Sequence, residues 1–366
     1  MKHFTPITQI LQESLTEKEI KKIVDSFGYQ DTGRIVTVCI LLKYLVLSAI
    51  IQCSSFRELT MHGKKYGLPE VNFSTLSKKA SEVPFEVFIA VCNFYLNKAN
   101  RAVRKMLKPK LDKMLAAIDS TCLTAHKNKL VWAPYLRESS GVKYHVMFDV
   151  GNNIPVKVCT SEIHAADSSK LCDFINRKYI FVCDRGYRSI EKLTKLDIAQ
   201  QRFIVRLIDN ISVKNIVTNE KNDDEAYTDV FCTLGNDRAL KKQYRTHPFR
   251  VITFMGANGK TVMLCTNIKS LSAKEIADLY RKRWAIECFF RVLKQNFSIK
   301  RIFGKSPNSV FSQGLAAFIA YILTYVPYVR IKHFIDYDIP FSYFLRSVRF
   351  DTLVAFSKPF RYFLLR

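Results

Sequence analysis

Apolar positions recur at helical spacing through the first hundred residues. Ile7, Ile10, Leu11 and Leu15 predict a short amphipathic turn. Thr16 with Glu19 reads as a capping box, and Ile20, Ile23, Val24 and Phe27 carry the stripe on until Gly28 stops it. Residues 34–51 predict a strongly apolar helix, and short helices are expected over 55–62 and 74–80. Pro84 opens another, with Phe85, Phe88, Ile89, Cys92, Tyr95 and Leu96 on one face. The texture then changes. The run 114–118 (MLAAI) has no polar alternation, which fits a strand buried on both faces, and it ends in Asp119-Ser120-Thr121. Residues 142–150 and 154–160 flank Gly151-Asn152-Asn153 and predict a β-hairpin. A helix is expected over 167–177. A second apolar strand, 179–183 (YIFVC), ends in Asp184-Arg185-Gly186-Tyr187, a turn in which Gly186 would take a positive φ. A helix over 189–196 and a strand over 202–207 follow.

Residues 208–270 are polar and turn-rich, and Asn258-Gly259 sits between two strand candidates, 249–254 and 261–266. They read as a mostly β insertion. Residues 272–296 predict one long helix, and 310–329 an apolar one. The class is therefore α/β, with a helical N-terminal domain over 1–110 and an α/β core over 111–207 and 271–305. That core is interrupted by the insertion at 208–270 and followed by a helical region over 306–366.

Composition narrows the partners. Lys and Arg number 57 against 32 Asp and Glu, a formal charge of +25 spread along the chain. A globular protein keeps such a charge when a polyanion offsets the self-repulsion, so nucleic acid leads and a basic membrane-surface protein is the competing class. Several short helices with Arg57, Lys64, Lys65, Lys78 and Lys79 suit a DNA-reading module of helix-turn-helix type as well as they suit a plain helical packing domain. Ten scattered cysteines without a CxxC pair argue against a zinc site and a disulfide framework, and fit a cytosolic compartment. The start MKHFTPITQ lacks a signal-peptide core. The apolar run 35–51 carries Lys43, and 310–329 carries Gln313 and Pro327, so both read as buried helices rather than membrane spans.

One helix face holds candidate chemistry. Tyr280, Arg283, Glu287 and Lys294 fall within a sector of roughly 60° at ~100° per residue. Leu279, Ile286, Phe290 and Leu293 form the neighbouring core stripe. Taken alone the polar face is a solvated surface with an Arg283–Glu287 pair, and Trp284 beside it reads as a packing residue. Asp119 and Asp184, however, each end an apolar strand, and the carboxyl ends of neighbouring strands are where α/β sites form. Three carboxylates without His or Cys favour Mg²⁺ or Mn²⁺. Two such ions about 3.5–4 Å apart activate an attacking oxygen and stabilise the leaving oxygen of a phosphodiester.

The pattern Tyr280-x2-Arg283-x3-Glu287-x6-Lys294 resembles the YREK signature of bacterial insertion-sequence transposases with a DD-E triad. Asp119-Ser120-Thr121, Asp184-Arg185-Gly186-Tyr187 and the strand Gly141-Val142-Lys143-Tyr144-His145 match that family's other elements, and the likeness runs from about 119 to 313. The resemblance implies a ribonuclease H-like catalytic core in which Asp119, Asp184 and Glu287 ligate two Mg²⁺ (or Mn²⁺) ions and Tyr280, Arg283 and Lys294 contact DNA. It implies cleavage at terminal inverted repeats and joining of the 3′-OH ends to target DNA, by at least a dimer on double-stranded DNA, in the cytoplasm at the nucleoid. Family members often form hairpins with a stacking aromatic from the insertion, for which Tyr227, Phe231 and Tyr244 are candidates. The alternatives are a metal-dependent nuclease of the same fold without strand transfer and a catalytically silent DNA-binding derivative.

Overall fold

The computed structural model describes residues 5–107, 114–126, 130–136, 139–219, 224–235, 244, 246–297, 302–335, 339–350 and 364. The chain opens with α1 (Pro6–Gln9), which runs into a π-turn at Ile10–Ser14, and α2 (Glu17–Ser26). Gly28, at φ +66°, ends the latter as expected. The Thr16 hydroxyl does not cap α2; it donates to Glu19 Oε2 at 2.8 Å, and Lys98 holds the other oxygen at 2.7 Å. α3 (Val38–Ile51) is buried at nearly every position, and its Lys43 reaches out to Gln12 Oε1 at 2.9 Å. α4 (Phe56–Gly63), α5 (Phe73–Glu82) and α6 (Phe85–Leu107) complete this helical part.

The sheet is built from β1 (Leu115–His126), β2 (Tyr135–Leu136), β3 (Ser139–Asp149), β4 (Ile154–Glu162), β5 (Ile180–Cys183), β6 (Phe203–Arg206), β7 (Val213–Thr218), β8 (Tyr227–Leu234), β9 (Pro248–Met255) and β10 (Thr261–Thr266). Its order is β3-β1-β5-β6-β10-β9-β8-β7, with β4 and the short β2 also on β3. β1, β5 and β6 are parallel; the other neighbours are antiparallel. The stretch 208–270 therefore extends the same sheet outward from β6. Its β9–β10 hairpin turns at Gly259, φ +71°, as the Asn-Gly pair predicts. α7 (Ile190–Ile198) links β5 and β6. α8 (Ala273–Arg281), α9 (Trp284–Asn296), α10 (Pro307–Ile335) and α11 (Phe341–Phe350) follow the sheet.

Both sheet faces are covered, which explains the unalternating apolar runs. Ala117, Val182 and Ile204 join one continuous core with α3, α6, α9 and α10. Ala116, Ile118, Phe181, Cys183, Phe203 and Val205 face a second core with Leu171, Phe174, Leu193 and Leu196. α10 is long and apolar enough to cross a membrane, but its apolar window is 89% buried in this fold. It is a core helix, as expected.

Four local expectations change. β1 does not end at Asp119. β3 stays alongside it from Ala116↔Asp149 to His126↔Ser139, so Asp119 is paired opposite Val146; only the parallel partner β5 stops at Ile118↔Cys183. Residues 272–296 are two helices, because the N–H groups of Lys282, Arg283, Ala285 and Ile286 bond three residues back instead of four. The helix expected over 167–177 is a 3₁₀ segment, Asp167–Phe174. Gly186 has an ordinary φ; what its position requires is space, since a Cβ would lie 3.0 Å from both Asp167 Oδ2 and Asp184 Oδ1.

Candidate active site

The sheet register brings the first two acids together. Ile118, Cys183 and Val205 are abreast on β1, β5 and β6. The next residue on each chain is Asp119, Asp184 and Arg206. Side chains two apart on a strand share a face. Ala117, Val182 and Ile204 point into the core under α8 and α9, so Asp119, Asp184 and Arg206 project on that same side.

Asp119 is half-buried and its Oδ1 accepts the Ser120 N–H at 2.8 Å. Burial pushes its carboxyl up to about 6. The charges of Asp184 and Asp167 push the same way, against the Ser120 N–H and the Arg283 guanidinium. Asp184 caps the 3₁₀ turn Arg185–Tyr187, accepting the Gly186 N–H at 2.8 Å.

The expected helix face lies above this row. Leu279, Ile286, Phe290 and Leu293 are buried, as the stripe predicts. The break at Lys282–Arg283 keeps Tyr280 and Arg283 side by side, with the guanidinium 5.9 Å from the tyrosine ring. Arg283 donates from Nη2 to Glu287 Oε1. Burial raises the Tyr280 hydroxyl, with Arg283 and Arg206 opposing it. The Arg283 charge also reaches Asp119, and its buried Nε has no partner among the described residues. Lys294 is half-buried further along α9, where its charge, with those of Lys143 and Asp167, is felt by the Cys122 thiol.

Asp119 and Asp184 are thus brought together, and Glu287 is paired with Arg283, whose charge reaches Asp119. Among the described residues no three Asp, Glu, His or Cys side chains converge closely enough to hold a metal ion as they stand. The donor set nonetheless fits a hard cation. Two adjacent carboxylates, one held above the usual carboxylate range partly by the other, are what a divalent ion relieves.

Residues 110–323 match the family described as transposase DDE domain. Over 350 residues the chain is 35% identical to the "Probable transposase for insertion sequence element IS5377" of Geobacillus stearothermophilus, covering 94% of this chain and 91% of that one. The chain belongs to the DDE-domain transposases. Among solved structures it resembles the piggyBac transposase synaptic complex with hairpin DNA, at 13% identity and a TM-score of 0.46 over 95% of this chain and 80% of that one, too distant a likeness to assign residues.

In this transposase several side chains stand differently from the sequence reading. Trp284 is 54% exposed, with Arg291 over its ring at 5.9 Å, so it is not a packing residue. Lys79 is buried and paired with Asp31 at 2.6 Å, which withdraws it from the basic surface of the N-terminal helices. Tyr227 packs on Phe254, Phe231 lies under the Lys269 ammonium, and Tyr244 is buried. Three site-proximal residues were missed. Arg206 is the last residue of β6 but lies inside the run 202–207 that predicts the strand, so the strand-end rule does not mark it. Lys143 and Asp167 meet at 3.0 Å from elements 24 residues apart, and nothing local marks that pairing.

Proposed function

We propose that this transposase binds the terminal inverted repeats of its insertion sequence, cuts at the element ends and joins the 3′-OH ends to target DNA. The row of Asp119, Asp184 and Arg206 facing the Arg283–Glu287 pair carries the reading. The core order β4-β3-β1-β5-β6, three parallel strands with an antiparallel pair on one side, supports a ribonuclease H-like assignment. On this reading residues 1–110 bind DNA, 208–270 are an insertion into that core, and a dimer acts on paired ends at the nucleoid.

Asp119, Asp184 and Glu287 would hold two Mg²⁺ or Mn²⁺ ions. When bound, such ions supply the charge that activates an attacking oxygen and stabilises the leaving one. The chain's own groups do the positioning. Arg283 offers its positive charge to a phosphate while its Nη2 steadies Glu287. Tyr280, Lys294 and Arg206 hold the DNA backbone in line on this reading. The guanidinium of Arg283 also holds down the charge cost of Asp119 until the site is loaded.

The test uses intact and pre-cleaved repeat-end DNA, target DNA and Mg²⁺. Joined product is expected from the native chain and none from Glu287→Gln. Cleavage without joining identifies the alternative, a nuclease of the same fold. Unchanged nicking by Glu287→Gln would overturn the site assignment.

A further inference from the structure

We infer that Lys143 and Asp167 are positioning residues that hold Asp119 in place through Ser120, from the opposite face of the sheet. The inference rests on the reading of Asp119 as a metal ligand. Ser120 follows Asp119, so its side chain points the other way, with Ala116 and Ile118. It bonds in both directions. Its N–H donates to Asp119 Oδ1 at 2.8 Å, and its Oγ donates to Asp167 Oδ1 at 2.7 Å. Lys143, on β3 opposite Cys122, donates to the same Asp167 oxygen at 3.0 Å and to the Ala165 carbonyl at 2.7 Å. The Lys143 side chain is 11% exposed and Asp167 32%. A lysine held on two acceptors thus fixes a carboxylate, the carboxylate fixes a serine hydroxyl, and the serine backbone fixes Asp119.

Asp167 also touches the other acid's support. Its Oδ2 and Asp184 Oδ1 are both 3.0 Å from the point where Gly186 lacks a Cβ. One carboxylate therefore borders the local frame of both strand-end acids. Groups behind metal ligands set their orientation, and removing them weakens metal binding by about 10–100-fold.

The experiment is Mn²⁺ titration of the full chain, read by electron paramagnetic resonance, with thermal unfolding as the fold control. Ser120→Ala and Asp167→Asn are expected to weaken Mn²⁺ binding by about tenfold or more. Ser120→Thr, which restores the hydroxyl, is expected to recover most of it. Asp119→Asn is expected to abolish the site. Wild-type affinity in both Ser120→Ala and Asp167→Asn, with Asp119→Asn inactive in binding, overturns the inference and leaves the metal reading standing. Wild-type affinity in Asp119→Asn overturns the metal reading itself. Should Asp167→Asn fail to fold, Ser120→Ala decides, because it deletes a single oxygen and leaves the ion pair intact.

Discussion

Arg250→Met is the substitution with the largest expected consequence away from the site. Arg250, on β9, is 3% exposed and its partner Asp229, on β8, is 1% exposed. The guanidinium makes a fork: Nε donates to Asp229 Oδ1 at 2.9 Å and Nη2 to Oδ2 at 2.7 Å. Nη1 donates to the carbonyls of Ile268 and Leu271 at 2.8 and 2.7 Å. Those carbonyls lie in the connection from β10 to α8, so one arginine ties the extended sheet to the segment that leads to Tyr280 and Glu287. Methionine fills the stem volume but leaves Asp229 buried with, among the described residues, only the Asn219 Nδ2 side-chain donor at 2.8 Å. Removing one partner of a buried pair costs about 3–5 kcal/mol, because the surviving charge has no compensation. Lysine keeps the charge but not the fork, and should cost about half as much. The double variant Arg250→Met, Asp229→Leu removes the stranded charge and should regain at least about 2 kcal/mol. It stays below wild type because two buried carbonyls still lack donors. Urea unfolding followed by circular dichroism measures all three. A cost under about 1 kcal/mol for Arg250→Met, or a double variant less stable than the single one, would refute the account.

Four further outcomes are expected. His145 is fully buried, its Nε2 is 2.7 Å from Ser161 Oγ, and burial holds its imidazole down to about 4. Because the folded value lies below the ordinary 6.5, the neutral ring favours folding fully above pH 6.5. That contribution, about 3 kcal/mol, is lost as pH falls from 6.5 through about 4; His145→Gln should flatten the acid limb of a stability–pH curve over that window. Gly314→Ala places a Cβ 2.2 Å from the Tyr144 hydroxyl oxygen, which is locked by donation toward the Val310 and Phe311 carbonyls, so a loss of about 3 kcal/mol should appear as a lowered Tm. Gly186→Ala must displace the Asp167 or Asp184 carboxylate, and repeat-end cleavage should fall at least about tenfold while stability changes by less than about 1 kcal/mol. Arg206→Gln should weaken repeat-end DNA binding and lower the slope of log affinity against log salt by about 0.9, as one lost phosphate contact predicts.

What could be read from the chain depended on how local the determining physics is. Asp184 was legible because YIFVC is a buried strand and the Asp-Arg-Gly turn that stops it is written in the next three residues. Asp119 was legible as an acid after an apolar run, yet the strand continues past it. Its continuation is decided by β3, whose antiparallel pairing extends to His126, and a single run carries no sign of its partner's length. The stripe of Leu279, Ile286, Phe290 and Leu293 stays buried on both sides of the break at Lys282–Arg283. The break itself left no Gly or Pro to mark it. Trp284 sits between the half-buried Arg283 and Ala285 at the start of α9, and its ring stands outside.

The acid row is organised by the apolar core beneath it more than by its own polar contacts. A slip of one residue in β5 would send Asp184 to the opposite face, since strand side chains alternate with period two. Phe181 and Cys183 are completely buried on one side, and Ile180 and Val182 nearly or completely so on the other. A one-residue slip would exchange these two sets between cores of different shape, the second already filled by Leu171, Phe174, Leu193 and Leu196. Tyr187, buried three residues after Asp184, anchors the turn into the same core. The packing therefore fixes which side Asp119, Asp184 and Arg206 share before any hydrogen bond adjusts their angles. The polar groups act on what remains free: the Ser120 N–H sets the tilt of Asp119, the Gly186 N–H that of Asp184, and Arg283 the direction of Glu287. Substitutions in the two cores should consequently alter whether the site exists, whereas substitutions at Ser120, Asp167 and Arg283 should alter how tightly it is held.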